Sequence, residues 1–315
     1  IANNMGLEEF QQQYCSQPEN ITCSKKYTSV LSNVILYFIY MIAIVLTTIG
    51  NLLVTISISH FKQLHTPTNF LVLSMAVTDF LTGLFVMPIE MARTLENCWY
   101  FGSVLCMAEE FIYTGLTSIS IVHLLFLAVD RYYAVYYPLL YNTKMTTNRA
   151  CLFVLISWLW PILEYTLYFT IIDILHSSKN DCYQLCRFLM DLIFKLTDFI
   201  FSFLMPCLVM LVLYGKIFII VKQHAKAIEN VKEQKPTEKK NVNRYQNKQH
   251  KATKTIAIVI FTFILCLLPV YIIIIMELFN VYPKILYDIF NAIAFLNCGF
   301  NPVIYGLFYP WSLAI

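Results

Sequence analysis

Seven stretches of this chain, 31–59, 68–94, 104–136, 149–171, 190–222, 252–279 and 284–308, are apolar over the length a helix needs to cross a membrane. The hydrocarbon core takes about 20 residues of helix. Backbone amides find no water there, so each run has to close its own hydrogen bonds as a helix. A transmembrane barrel would instead show stretches of about 10 residues alternating in polarity, and none of the runs alternates. The predicted fold class is therefore all-α, a seven-transmembrane helix bundle. Composition agrees, because 58% of residues are hydrophobic and only 13% charged, against about 25% charged in soluble domains.

Charge sets the expected orientation. The net charge of +3 says little, but Lys222 to Lys254 holds most of the lysines, whereas the loop TLENCWYFGS between runs two and three has no Lys or Arg. Short basic loops stay on the cytoplasmic side, and an odd number of crossings then leaves the N-terminus extracellular. That N-terminal segment, 1–30, is polar for about 28 residues, lacks an apolar signal-peptide core and carries the sequon NIT at Asn20, usable for glycosylation only outside. The expected organisation is this extracellular segment, one membrane domain over 31–308, and a cytoplasmic tail cut short at 309–315. Within the domain, 223–249 reads as a mobile cytoplasmic third loop with helical ends. Its basic residues face anionic lipid as readily as any partner. No internal repeat, phosphate-binding glycine loop, HExxH or nucleophile elbow is present, which speaks against repeat-built transporters and against an enzyme. Nothing points to nucleic acid.

Of ten cysteines, Cys15, Cys23, Cys98, Cys106, Cys182 and Cys186 fall on the outer side, where disulfides persist. Cys151, Cys207, Cys266 and Cys298 lie inside runs and read as small packing residues. No pair has zinc-finger spacing.

Polar residues inside the runs are the informative ones. Run one contains Gly50-Asn51, run two SMAVTDF with Asp79, run three ends in DRYYAVYYP from Asp130, and run seven contains NPVIY from Asn301. With Trp158, Pro206 and Pro269, this ordered set resembles the rhodopsin-like G-protein-coupled receptors. The resemblance implies a cluster of Asp79, Asn51, Ser120, Asn297 and Asn301 that holds sodium, where a buried carboxylate needs partners or a cation. It also implies that Asp130, Arg131 and Tyr132, with Pro302 and Tyr305, serve activation and G-protein coupling. Two departures stand out. Leu267 replaces the tryptophan that normally precedes the run-six proline, and no acid between Asn247 and Thr255 restrains Arg131.

A narrower resemblance rests on NCGFNPVIYGLFYPW, Asn297 to Trp311, on the outer C-x-x-x-C of Cys182 and Cys186, and on NITC before run one. It is to the trace-amine-associated receptors, most of which are olfactory and couple to stimulatory G proteins. This resemblance implies disulfides between Cys106 and Cys186 and between Cys23 and Cys182, with Cys15 and Cys98 as competing partners. Amine receptors usually anchor the ligand ammonium by an aspartate seven residues after the cysteine opening run three, but here that position is Tyr113, which carries no full negative charge at neutral pH.

Asp198 restores the amine hypothesis. It sits in FKLTDFIFSFLMP, where a charge in a bilayer costs about 3 kcal/mol on insertion scales, eight residues before Pro206 on the pocket-lining face of run five in this family. A fish branch of the family has lost the run-three aspartate and gained one on run five, and this chain looks like a member. The alternative is an ion pair with Lys195 three residues earlier. Thr197 and Phe199 flank Asp198 and are expected to point elsewhere. Glu90, Glu109, Glu110, Glu164, Glu277 and Asp288 gather in the outer half, where solvation or pairing with Arg93 competes with a ligand role. Glu110, Tyr113, Thr114 and Thr117 share one helix face, and Tyr113, Tyr271, Phe199 and Phe295 are candidate cation-π walls. The expectation is a receptor for a small cationic amine, including di- or polyamines because Asp198 and Glu110 lie on different helices. The rivals are a receptor for an uncharged odorant, with Asp198 structural, and a transporter.

Overall fold

The computed structural model describes residues 30–96, 102–176, 192–230, 238–277, 279, 281 and 284–308. Seven helices in it are long and apolar enough to span a membrane. We label them α1 (Val30–His60), α2 (Pro67–Leu81, a π-helical turn Thr82–Val86, then Met87–Glu96), α3 (Gly102–Tyr136), α4 (Thr147–His176), α5 (Leu192–Thr197, a π-helical stretch Asp198–Leu204, then Met205–Asn230), α6 (Glu238–Glu277) and α7 (Lys284–Phe308). A short helix, Pro138–Lys144, joins α3 to α4. The seven spans match the apolar runs to within a few residues. The predicted third loop is more helical than its composition suggests, with α5 extending to Asn230 and α6 beginning at Glu238.

Local chemistry explains several boundaries. Thr66 accepts a hydrogen bond from the Asn69 amide at 3.3 Å, and Pro67, which has no amide hydrogen to satisfy, follows at the first helical position. Pro161, Pro269 and Pro302 lie inside helices, where a missing amide bends the rod.

The bundle is apolar outside and mixed inside. Large side chains such as Phe38, Leu163, Phe218 and Phe261 are exposed on its surface, as lipid-facing residues are. Leu71, Met75, Leu124, Leu127, Met210 and Ile256 are fully or almost fully buried in one core cluster. α3 is the central helix, packed against α2, α4, α5 and α6, while α1 packs on α2 and α7. At the α1–α7 crossing a Cβ added to Gly50 would come within 2.9 Å of Pro302, so glycine sets how closely those helices approach.

A polar tie crosses the core beneath the outer half. Trp158 of α4 donates its indole N–H to Ser74 of α2 at 2.9 Å. Ser74 is 2.8 Å from His123 Nε2, and His123 Nδ1 is 2.8 Å from the Ile119 carbonyl. A carbonyl only accepts, so Nδ1 carries the proton and Nε2 accepts from Ser74. Three helices are thus joined with every polar atom of the tie used.

Candidate functional site

Asp198 opens the π-helical stretch of α5 and is partly buried. Its Oδ1 accepts a 2.6 Å hydrogen bond from the Tyr165 hydroxyl of α4, and the hydroxyls of Ser202 and of Tyr271 on α6 also bond to it. Neutral donors from α4 and α6, Tyr165 and Tyr271, therefore orient the carboxylate, while the single Ser202 proton serves either Asp198 or Glu164. The ion pairs among the described residues are those of Arg93 and Arg131, so the Lys195–Asp198 pair permitted by spacing is not one of them. Ser202 is also 3.3 Å from Glu164 Oε1, which puts a second carboxylate beside the first.

Phe199 meets the expectation of an aromatic wall and corrects the expectation that it points elsewhere. It does not turn away from the bundle but packs against Tyr271 at a ring separation of 5.9 Å, with Tyr271 stacked on Phe203 at 4.3 Å. The reason is the π turn. An i→i+5 bond, seen between the Met205 amide and the Ile200 carbonyl, widens the turn and admits two successive residues to the inner side. Asp198 thereby shares its environment with an aromatic wall suited to a cation.

On α3, Tyr113 donates to Asn291 Oδ1 of α7 at 2.8 Å and its ring lies 5.4 Å from Phe295. Asn291 in turn donates to Glu90 at 3.3 Å. Glu90 is ion-paired with Arg93, whose guanidinium lies 3.6 Å from Glu109 and 3.8 Å from Glu110. Thr114 and Thr117 bond back to the carbonyls of Glu110 and Tyr113, at 2.7 and 2.9 Å. Below Tyr113 a small cavity runs past Thr117, Leu267 and Phe295 to Ser120 and Asn297. Leu267 fills less of this space than an indole would.

The mid-membrane residues come together in part. Asn301 donates to Asp79 Oδ2 at 2.8 Å, the Cys298 thiol also bonds to Asp79, and Asn51 donates to the carbonyls of Thr47 and Cys298 at 2.9 and 3.0 Å. Four buried oxygens, Oδ1 of Asp79, Asn51, Asn297 and Asn301, have no hydrogen-bond partner. Such orphans are costly, and an all-oxygen set of acceptors suits a small hard cation.

At the far end of α3, Arg131 is ion-paired with Asp130 and also bonds Thr68 and Tyr141. Asp130 accepts from Thr68 at 2.7 Å and from Tyr141 at 2.8 Å. Burial and the neighbouring Asp130 charge raise the Tyr141 phenol above its usual range, which keeps it a donor. Tyr132 stacks on Tyr136, Tyr305 is buried with its hydroxyl 3.5 Å from the Met75 sulfur, and Pro302 lies against Gly50. Tyr141 and Tyr165 escaped sequence reasoning, since each acts on a carboxylate from another helix. In both cases the only available cue was an aromatic hydroxyl in an apolar setting.

Cys106 is disulfide-bonded, while Cys151, Cys207, Cys266 and Cys298 are free. Its partner therefore lies outside the described residues, as do Asn20, Cys15, Cys23, Cys98, Cys182 and Cys186; the side chain of Glu277 does too. Losing a native disulfide typically costs about 2 to 5 kcal/mol. Cys106→Ser and Cys186→Ser are each expected to remove the protein from the cell surface in an epitope-labelling assay. The double variant Cys23→Ser with Cys182→Ser is expected to be no worse than either single change, and additive damage would reject that pairing.

Residues 50–305 match the family described as 7 transmembrane receptor (rhodopsin family). The chain is 38% identical over 307 residues to trace amine-associated receptor 4 of Rattus norvegicus, covering 95% of this chain and 88% of the relative. It is 38% identical over 315 residues to trace amine-associated receptor 13c of Danio rerio, with 95% and 89% covered. It is 40% identical over 308 residues to trace amine-associated receptor 1 of Homo sapiens, with 95% and 91% covered.

Proposed function

Because the chain belongs to the trace amine-associated receptors of the rhodopsin family, we propose that a cationic amine bound at Asp198 activates it and that it signals through a stimulatory G protein to cAMP. Membership makes it a multi-pass plasma-membrane receptor, not an enzyme, with a small-molecule ligand and a G protein as its general partners. The observation that carries the amine reading is the Asp198 carboxylate itself. It is partly buried beside Phe199 and Tyr271, oriented by neutral hydroxyls and paired with no cation among the described residues. An incoming ammonium supplies the missing opposite charge as a charge-assisted hydrogen bond, while the rings add cation-π attraction.

The finer assignments extend this reading. An olfactory role fits most of the family. The lysine-rich 222–254 segment supports a cytoplasmic third loop and an outer N-terminus. The four donorless oxygens around Asp79 support sodium there, with Asp79, Asn51, Asn297 and Asn301 holding the ion and Ser120 nearby. Arg131 serves the G-protein interface, and Cys106–Cys186 closes the pocket lid.

One observation favours a second reading. Tyr165, Ser202 and Tyr271 already satisfy much of Asp198, as they would if it were structural and the ligand an uncharged odorant. Cells expressing the receptor, exposed to mono-, di- and polyamines and to alcohols of matching shape, separate the two by cAMP output. Amines are expected to respond and alcohols not. Equal responses to both sets would overturn the amine assignment.

A further inference from the structure

Asn291 of α7 stands between a carboxylate and a phenol, and this fixes the direction of every hydrogen bond in the row. Glu90 is ion-paired with Arg93, so its carboxylate only accepts. Asn291 is 1% exposed and donates to Glu90 from Nδ2 at 3.3 Å. The opposite orientation of the amide would set its oxygen against a carboxylate oxygen, two acceptors with no proton between them. Oδ1 is therefore the atom turned to Tyr113, 2.8 Å away. A carbonyl oxygen only accepts, so the one proton of the Tyr113 hydroxyl is committed to α7.

Tyr113 is left as an acceptor. No donor among the described residues reaches its hydroxyl oxygen, and its side chain lines the cavity with Thr117, Leu267 and Phe295. Tyr271, which bonds Asp198, lies within electrostatic range of Tyr113. The phenol oxygen of α3 and the carboxylate of α5 thus border the same space, one neutral and the other charged.

We propose that Tyr113, held by Asn291 and Glu90, is a polarity filter that accepts a hydrogen bond from a neutral hydroxyl of the ligand and disfavours groups able only to accept. The filter rests on the reading of Asp198 as the amine anchor and adds a ligand class to it. That class is a singly charged amino alcohol, with its ammonium at Asp198 and its O–H on Tyr113. An ether oxygen in the same place sets lone pairs against lone pairs, and no rotation of the phenol relieves this without breaking the bond to Asn291. Tyr113 is the specificity-determining contact, and Asn291 and Glu90 are positioning residues that act through it.

The test compares ω-amino alcohols of increasing chain length with their O-methyl ethers and with n-alkylamines, on the full-length receptor, by cAMP response with surface expression measured in parallel. Wild type is expected to favour the alcohol over its ether at least about tenfold at one best length, the size of a buried hydrogen bond replaced by two facing acceptors. In Tyr113→Phe the alcohol is expected to lose potency until the ratio is about one. Asn291→Leu releases the Tyr113 proton, so there the ether is expected to gain potency and close the gap from the other side. A merely structural Asn291 would weaken alcohol and ether alike and keep their ratio. Tyr113→Phe carries the test if Asn291→Leu fails to reach the surface. A wild-type ratio near one at every length, or an alcohol preference that survives either substitution, overturns the filter. If Asp198→Asn still abolishes the n-alkylamine response, the anchor reading survives that failure. If no amine of any series activates wild type, both fall.

Discussion

Asp198→Asn is expected to raise the amine concentration for half-maximal cAMP by at least about two decades. Breaking a buried charged pair by neutralising one partner costs about 3 to 5 kcal/mol, which exceeds a hundredfold in affinity. The variant keeps nearly the same shape and its amide still accepts from Tyr165, so the local packing of α4, α5 and α6 survives and surface expression is expected to be normal. Asp198→Glu is expected to shift the curve less, because it preserves the charge and displaces it by one methylene. Lys195→Ala separates this account from a structural ion pair. An ion pair predicts that Lys195→Ala harms expression as much as Asp198→Ala does, whereas the anchor account leaves expression intact. A normally expressed Asp198→Asn receptor with an unchanged dose-response would end the anchor account and move attention to Glu110.

Arg131→Ala is expected to abolish agonist-driven cAMP while leaving the receptor at the surface. Within the described residues Arg131 is held by Asp130, Thr68 and Tyr141, all on the α2–α3 side. No acid on α6 between Asn247 and Thr255 ties it across the bundle. Thr255 turns back to the Lys251 carbonyl at 3.0 Å. With one tether missing, the unmutated receptor is expected to show appreciable cAMP without ligand, and that basal signal is expected to vanish in the variant. A full agonist response from Arg131→Ala would remove this residue from the coupling interface.

The seven spans were legible because length and apolarity alone decide whether a segment can sit in a bilayer. Asp79, Asp130, Arg131 and Asn301 were legible as polar residues whose burial demands a reason, and Asp198 stood out in its apolar run on the same grounds. Their partners were not. Tyr165 is 33 residues from Asp198 and looks like any interfacial aromatic, and Tyr141 resembles its neighbours in a tyrosine-rich stretch. His123 and Ser74 acquire meaning only when α2, α3 and α4 meet. Phe199 drew two incompatible expectations, a flank turned elsewhere and a cation-π wall, because uniform helical periodicity places adjacent residues on different faces, and the widened turn has no residue signature of its own. The acids near Arg93 were visible as a set, but which of them lack donors is a matter of ångströms.

The π-helical stretch of α5 has a consequence for comparing such receptors. A π turn holds one residue more than an α turn, and each residue of an α-helix advances about 100° around its axis. A relative with a regular α-helix here, aligned to this chain without a gap down to the proline, would present the matched residue on a different side of the rod. Two chains can therefore write the same aspartate in the same column and aim it at different neighbours. Conversely, an acid displaced by one column in the alignment can occupy the place that Asp198 holds in space.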